Sequence, residues 1–349
     1  MINKYYIMNP SASQSIAIAK LLKKNKQDVH LIGVLMDGES AKRISNTYDE
    51  FVSISDIHVD KLVKSTIPTG AISTEFLLNK FDVILGSARL SQDALRVFEK
   101  EWSISKAKMV NVPVPATWYS VSEIDCYPIF FKKKKEHGGG DRGVATVEKD
   151  IPNEYISDLI FQEYIPSSGT YGVGFIADNG NILVQSTHFE IESSPAAGGS
   201  AVIIEHLSNK RLEHYTAKIL KHINYSGWGL AEFKYCPNRK DFVFMEINAK
   251  FWASCEFAFR TEPRFFKLLF DVNVPKENID RIVFINRALA RGPRFILKNI
   301  ATIISSHKII YPGWSMSLLQ GVIPAFAKQP LKKVYRKICS VRAARGQRR

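Results

Sequence analysis

GWGLAEFKYCPNRKDFVFMEINAKFW, residues 227–252, consists of two apolar-rich runs flanking the polar turn Pro237–Asp241, a β-hairpin signature. With the turn centred on Arg239, Glu232 stands across the ladder from Glu246, and side-chain alternation puts Asn248 on the face of Glu246. Two carboxylates and a carboxamide then share one surface. Like charges directly opposite each other on paired strands repel, and a divalent cation between them reverses the sign of that interaction. An all-oxygen set suits Mg²⁺, which takes one or two carboxylates and completes its shell with water and nucleotide phosphates. The same residues also fit a solvated outer face on which the acids pair with lysines such as Lys234.

Upstream, residues 127–147 (YPIFFKKKKEHGGGDRGVATV) read as strand, glycine loop and strand. Lys132 ends the first strand, and Gly138, Gly139, Gly140 and Gly143 surround Arg142. Glycines let backbone amides approach phosphate oxygens, and a lysine adds a point charge. GxxxxGK[ST] is absent, so this is no Walker loop, and a flexible basic hairpin tip is the competing reading. Lys133–Lys135 read as solvated charge. Glu163-Tyr164-Ile165 ends a strand before Pro166, where a main-chain carbonyl can accept from the exocyclic amine of a purine and an amide can donate to its ring.

In order, and over about residues 1–270, these pieces resemble the ATP-grasp superfamily, specifically its carbamoyl-phosphate-synthetase-like, carboxylate–amine ligase branch. The resemblance implies an ATP-phosphate lysine at Lys100 in FEKEWSISKAKMVNVPVPAT and a second at Lys132 before the glycine loop. It also implies an adenine hinge at Gln162-Glu163-Tyr164-Ile165 and a further loop at Gly198-Gly199-Ser200. Its metal hairpin matches Glu232, Glu246, Asn248 and Lys250. On that basis Glu232, Glu246 and Asn248 are expected to hold Mg²⁺ or Mn²⁺. Lys100, Lys132, Gly139, Gly140, Gln162, Glu163 and Ile165 are expected to bind ATP, and Lys250 to act catalytically. Lys250 stands where the family carries Arg, Ala249 where it carries Pro, and Gln162 where many members carry Glu. The implied chemistry joins a small-molecule carboxylate to an amine acceptor through an acylphosphate. A non-catalytic nucleotide-binding protein and an ATP-grasp enzyme with a non-amine acceptor are the alternatives.

Around this centre, KYYIMNP and DVHLIGVLM read as strands separated by a helix with Ile16, Ala19 and Leu22 on one face. A second helix starts in Gly70–Leu78, and Phe81–Leu85 reads as a later strand of the same parallel, Rossmann-like sheet. No GxGxxG follows the first strand. The expected fold class is therefore α/β (α+β overall). Residues 1–97 are expected to form a Rossmann-like pre-ATP-grasp domain and residues 98–280 the ATP-grasp domain, with a lid subdomain over about 118–172. Residues 281–349 are expected to form a helical basic extension.

The composition, 45% hydrophobic and 23% charged over 349 residues, excludes disordered and low-complexity classes. Four cysteines without a CxxC argue against a disulfide scaffold or a zinc site and fit a reducing cytosol, so a cytoplasmic protein without a secretory signal is expected. Charge is uneven. Residues 1–280 carry 33 bases against 34 acids, while Arg281–Arg349 carries 15 bases and no acid. Ile309–Ala327 is uncharged, but Pro312, Gly313, Gln320 and Pro324 argue against a spanning helix. Nine bases follow from Lys328. An apolar stretch beside a polybasic one suits peripheral attachment at an anionic membrane surface, worth roughly 1 kcal/mol per base. A packed helical subdomain with a solvated basic end fits equally. Without aromatic–basic interleaving, nucleic acid is not an expected partner.

Overall fold

Three sheets organise the chain. The computed structural model describes residues 3–39, 46–57, 65–135, 142–154, 156–195 and 199–311. The first sheet comes from β1 (Asn3–Met8), α1 (Ser13–Asn25), β2 (Val29–Leu35), β3 (Glu50–Ser53), β4 (Thr66–Ile67) and α2 (Ala71–Leu78). It is parallel, in the order β3-β2-β1-β4. Its strands and the apolar side of α1 (Ile16, Ile18, Leu22) bury Ile7, Leu31, Val34 and Ile67. The fourth place in this sheet belongs to the two-residue β4. The strand expected at Phe81–Leu85 is β5 (Val83–Leu85), which pairs only with β6 (Ala88–Leu90). Gly86, at φ +56°, reverses the chain directly after Leu85 and prevents it from joining the parallel sheet.

After α3 (Lys100–Met109) comes an antiparallel sheet of β7 (Thr117–Trp118), β8 (Ile129–Lys133), β9 (Arg142–Ala145) and β10 (Leu159–Glu163), in the order β7-β10-β8-β9. Its two faces differ. Ile129, Phe131, Ala145, Leu159 and Phe161 form a small core of their own. Register puts Phe130, Lys132, Ile160 and Gln162 together on the other face.

The largest sheet contains β11 (Thr170–Asp178), β12 (Asn181–Ser194), β13 (Ser200–His206), β14 (Gly227–Cys236) and β15 (Asp241–Asn248), with α4 (Lys210–His222) between β13 and β14. α5 (Cys255–Thr261) and α6 (Arg264–Phe270) follow, then β16 (Arg281–Phe284), α7 (Ile285–Ala290), α8 (Pro293–Lys298), α9 (Ile300–Ser305) and β17 (His307–Ile309). The strand order is β15-β14-β11-β12-β13-β16-β17. The extension expected to be helical from residue 281 thus opens with a strand of the main sheet. Ile282 and Val283 pair with Ile204 and Ile203 and bury the apolar edge that β13 would otherwise expose. Among the described residues no helix is long and apolar enough to cross a membrane.

Aromatic packing ties the first sheet to the third. Phe251 stacks on Trp228 at 5.1 Å and on Phe270 at 6.5 Å, and Phe270 meets Tyr5 of β1 at 6.4 Å. A backbone hydrogen bond from Ser87 N–H to the Leu268 carbonyl (2.9 Å) adds to the join.

Candidate active site

The hairpin places its acids as the alternation required: Glu232 pairs with Glu246, and Leu230 with Asn248. The turn differs from expectation. It is the four-residue loop Pro237–Lys240, with Cys236 paired to Asp241 and Lys240 at φ 50°. A bulge at Met245 takes up the extra residue and restores the register at Glu232.

Register extends this row across the sheet. Glu232 lies beside Gly172 of β11, which lies beside His188 of β12. Gly172 is required by close approach, because a Cβ there would come within 2.6 Å of the His188 ring. Lys234 and Glu190 occupy the next row on the same face, flanking Thr170.

The second sheet covers this surface. Lys132 Nζ lies 3.1 Å from Glu246 Oε2, and Lys100 Nζ, from the start of α3, lies 3.9 Å from the same oxygen. Both lysines are buried, 5% and 6% exposed. Asn248 Nδ2 donates to Glu232 Oε1 (3.1 Å) and to Glu246 Oε1 (3.3 Å). The acids therefore do not line a solvated outer face, and Glu246 pairs with lysines from outside the hairpin instead of with Lys234. Burial would raise the Glu246 carboxyl, but Lys132 and Lys100 outweigh it and hold the group well below the usual range. Glu232 moves the other way, raised by burial and by the charge of Glu246, with Lys132 and Lys250 opposing. The surroundings thus shift two like carboxylates in opposite directions.

Gln162 is fully buried on the face of Lys132. Its Nε2 reaches Thr117 Oγ1 at 3.5 Å, while Oε1 has no hydrogen-bond partner among the described residues. A buried acceptor left open there fits the amino group of a base. The Glu163 side chain turns elsewhere: it accepts from Ala116 N–H (3.2 Å) and pairs with Arg239 of the hairpin turn, whose Nη1 donates to the Val114 carbonyl (2.9 Å). Ile165 is buried against Cys236, Val243 and Met245, so the segment after β10 packs on the hairpin. Gly139 and Gly140 lie outside the described residues.

The donor set of Glu232, Glu246 and Asn248 is hard and all-oxygen, which fits Mg²⁺ with shared phosphate ligands. Among the described residues there is no group of three or more His, Cys, Asp or Glu that could hold a metal ion.

Sequence reading places His188–Ser200 among substrate-pocket loops without a role for His188 or Glu190, and both lie on β12. The available signal was polar residues two apart in an otherwise apolar strand, but their place beside Glu232 depends on β11 lying between β12 and β14. Burial and then the charge of Glu232 raise Glu190 to about 8. His188 is 3% exposed, and burial lowers it to about 4. Unfolding at pH 4–6.5 therefore adds a proton to this ring, and stability rises with pH across that window by about 3 kcal/mol. Urea unfolding at several pH values should show this slope in the wild type and a flatter one in His188→Asn. Equal slopes would remove His188 as its source.

No protein-family model matches the chain. No curated protein matches it either. Solved structures do. Biotin carboxylase from Campylobacter jejuni in complex with β,γ-ATP superposes with a TM-score of 0.58 at 16% identity, covering 79% of this chain and 72% of that one. N5-carboxyaminoimidazole synthetase from Staphylococcus aureus with ADP gives 0.58 at 12% identity, covering 78% and 79%. Pyruvate carboxylase from Rhizobium etli gives 0.56 at 15% identity, covering 74% of this chain, which spans only 27% of that much longer protein. These likenesses show the fold alone, an ATP-grasp fold, as the resemblance implied.

Proposed function

We propose that the protein is an ATP-dependent carboxylate–amine ligase acting through an acylphosphate. The observation that carries this reading is the meeting of Lys132 and Lys100 with Glu246 opposite Glu232, a convergence of three separate elements on one buried spot. Structural buttressing alone would not need two like carboxylates beneath two buried ammonium groups.

In this reading residues 1–97 are the pre-ATP-grasp unit and residues 98–280 the ATP-grasp unit, with the lid over 118–172 and β16–β17 continuing its sheet. Gln162 Oε1 and the main chain of Glu163 and Ile165 receive the adenine. Lys132 and Lys100 receive phosphate oxygens, and the loop of Gly139 and Gly140 closes over them. Glu232, Glu246 and Asn248 would hold Mg²⁺ or Mn²⁺, which supplies charge neutralisation at the β- and γ-phosphates. A carboxylate oxygen of the first substrate attacks the γ-phosphorus and ADP leaves. The amine nitrogen then attacks the acyl carbon, expelling inorganic phosphate and releasing one proton. Lys250 lies within electrostatic reach of Glu232 and supplies positive charge to the acylphosphate. The substrate pocket is placed at the end of β12 and the turn that follows Asn248. A surface-polysaccharide or lipid-linked precursor is the proposed product class, made at the inner membrane face.

A screen of ADP release over sugar acids, amino acids and amino sugars, with mass spectrometry of products, tests this. Release should require a carboxylate and an amine together and yield an amide. Turnover with the carboxylate alone, or with a thiol acceptor, would replace the ligase assignment, and nucleotide binding without turnover under any pair would end it.

A further inference from the structure

The expectation of a membrane contact rested chiefly on residues 309–349, and those after 311 lie outside the described residues. A different surface, within the described fold, carries the inference further. The helices α8 and α9 bury Phe295 and Ile303 against Val202, Ile203, Val283 and Ala288. Their outer side is also aliphatic: Leu297, Ile300 and Ile304 are 73%, 46% and 69% exposed, and Ile310 just beyond β17 is 63% exposed. Ile300 and Ile304, four residues apart, share one side of α9, and Leu297 stands near the end of α8. Arg294, Lys298 and Lys308 stand exposed among them. The segment from residue 281 to the C-terminus contains no acid, and among the described residues Lys298 alone of these three bases meets one, Glu192 at 4.0 Å.

We propose that the outer face of α8–α9, with Ile310, is a docking surface for an anionic lipid bilayer. The occupant follows from combining the two kinds of side chain. Clustered aliphatic tips require a partner that removes them from water, and the surrounding ammonium and guanidinium groups require a negative one. A bilayer supplies both, an acyl boundary below a charged headgroup layer. The chain's own nine remaining bases all lie at or beyond Lys328, and folding that stretch back over this face sets like charges together. A second copy presents the same bases across the interface, with the same penalty. Nucleic acid answers the charge but offers the aliphatic tips nothing comparable to an acyl layer.

The position of the chain end agrees. Tyr311 is fixed by Asn286 through two reciprocal bonds (3.0 and 3.1 Å) and by Glu256 Oε2 (2.9 Å), and Lys20 Nζ holds the Ile310 carbonyl (3.2 Å). The described chain therefore ends beside the aliphatic face. The face is also joined to the end of β12: Arg291 donates to the Ser193 carbonyl and lies 3.6 Å from Glu192, which Lys298 meets at 4.0 Å. Bilayer docking does not depend on the ligase assignment.

The test is sedimentation of the full chain with vesicles of phosphatidylcholine alone and with added phosphatidylglycerol. Wild type should partition onto the anionic vesicles. Leu297→Ser/Ile300→Ser/Ile304→Ser should lose at least about tenfold in partition coefficient, including at high salt. Arg294→Gln/Lys298→Gln/Lys308→Gln should lose binding mainly at low salt. Thermal unfolding and size-exclusion profiles of the serine variant should match wild type. Unchanged vesicle binding by the serine variant would overturn the proposal. So would wild-type indifference to anionic vesicles, a thermal destabilisation showing that the tail covers these residues, or a dimer that the variant dissociates. ATP binding is measured separately, so failure here leaves the ligase reading standing, and the reverse.

Discussion

Glu246→Gln is expected to lower ATP-dependent turnover about 10³-fold while leaving the protein folded. Glu246 is the one residue on which the site converges: Lys132 at 3.1 Å, Lys100 at 3.9 Å, Asn248 at 3.3 Å and Glu232 across the ladder. Amidation keeps the shape and one acceptor oxygen but removes the charge that a hard cation requires. Stability should change by only about 1 kcal/mol. Burial and the charge of Glu246 raise the Glu232 carboxyl, so removing that charge favours ionised Glu232 opposite the two lysines. ADP release, read beside thermal unfolding, separates the two effects. Full turnover in a folded variant would show that Glu246 has no part in catalysis.

Phe251→Ala should have the largest effect on stability, a loss of about 3–5 kcal/mol. The ring is fully buried, stacked on Trp228 and Phe270 and set edge-on to Phe259 at 6.3 Å. It directly follows Lys250, so it also fixes how the strand leaves Asn248. The cavity would lie between the main sheet and α5–α6, where large rings cannot readily collapse. Phe251→Leu should lose about 1–2 kcal/mol. Denaturant unfolding of the pair measures both values, and a near-neutral alanine variant would contradict the packing described.

Much of the fold was legible in the sequence because its central device is local. Glu232 and Glu246 are 14 residues apart, and alternation along two strands suffices to pair them; the misplaced turn did no harm because the Met245 bulge compensated for it. β4 was not legible, since two residues carry no periodicity, and the more apolar Phe81–Leu85 took its place in the reading. β16 was missed for the opposite reason: RIVFINRALA suits a helix locally, and only the open edge of β13 makes its first four residues a strand. In the site, Lys100 became visible through the order of motifs, whereas His188 and Glu190 depend on which strands are neighbours, a long-range fact that spacing does not carry.

The pairing of β16 with β13 bears on any attempt to shorten the chain to the span its motifs cover. A version ending at residue 280 would strip β13 of its partner and leave Val202, Ile203 and Ile204 on an open strand edge. It would also take away Arg287, whose guanidinium caps the Ala201 and Ala253 carbonyls. Such a product should aggregate by edge-to-edge strand addition, so a shortened version has to keep β16 and Arg287.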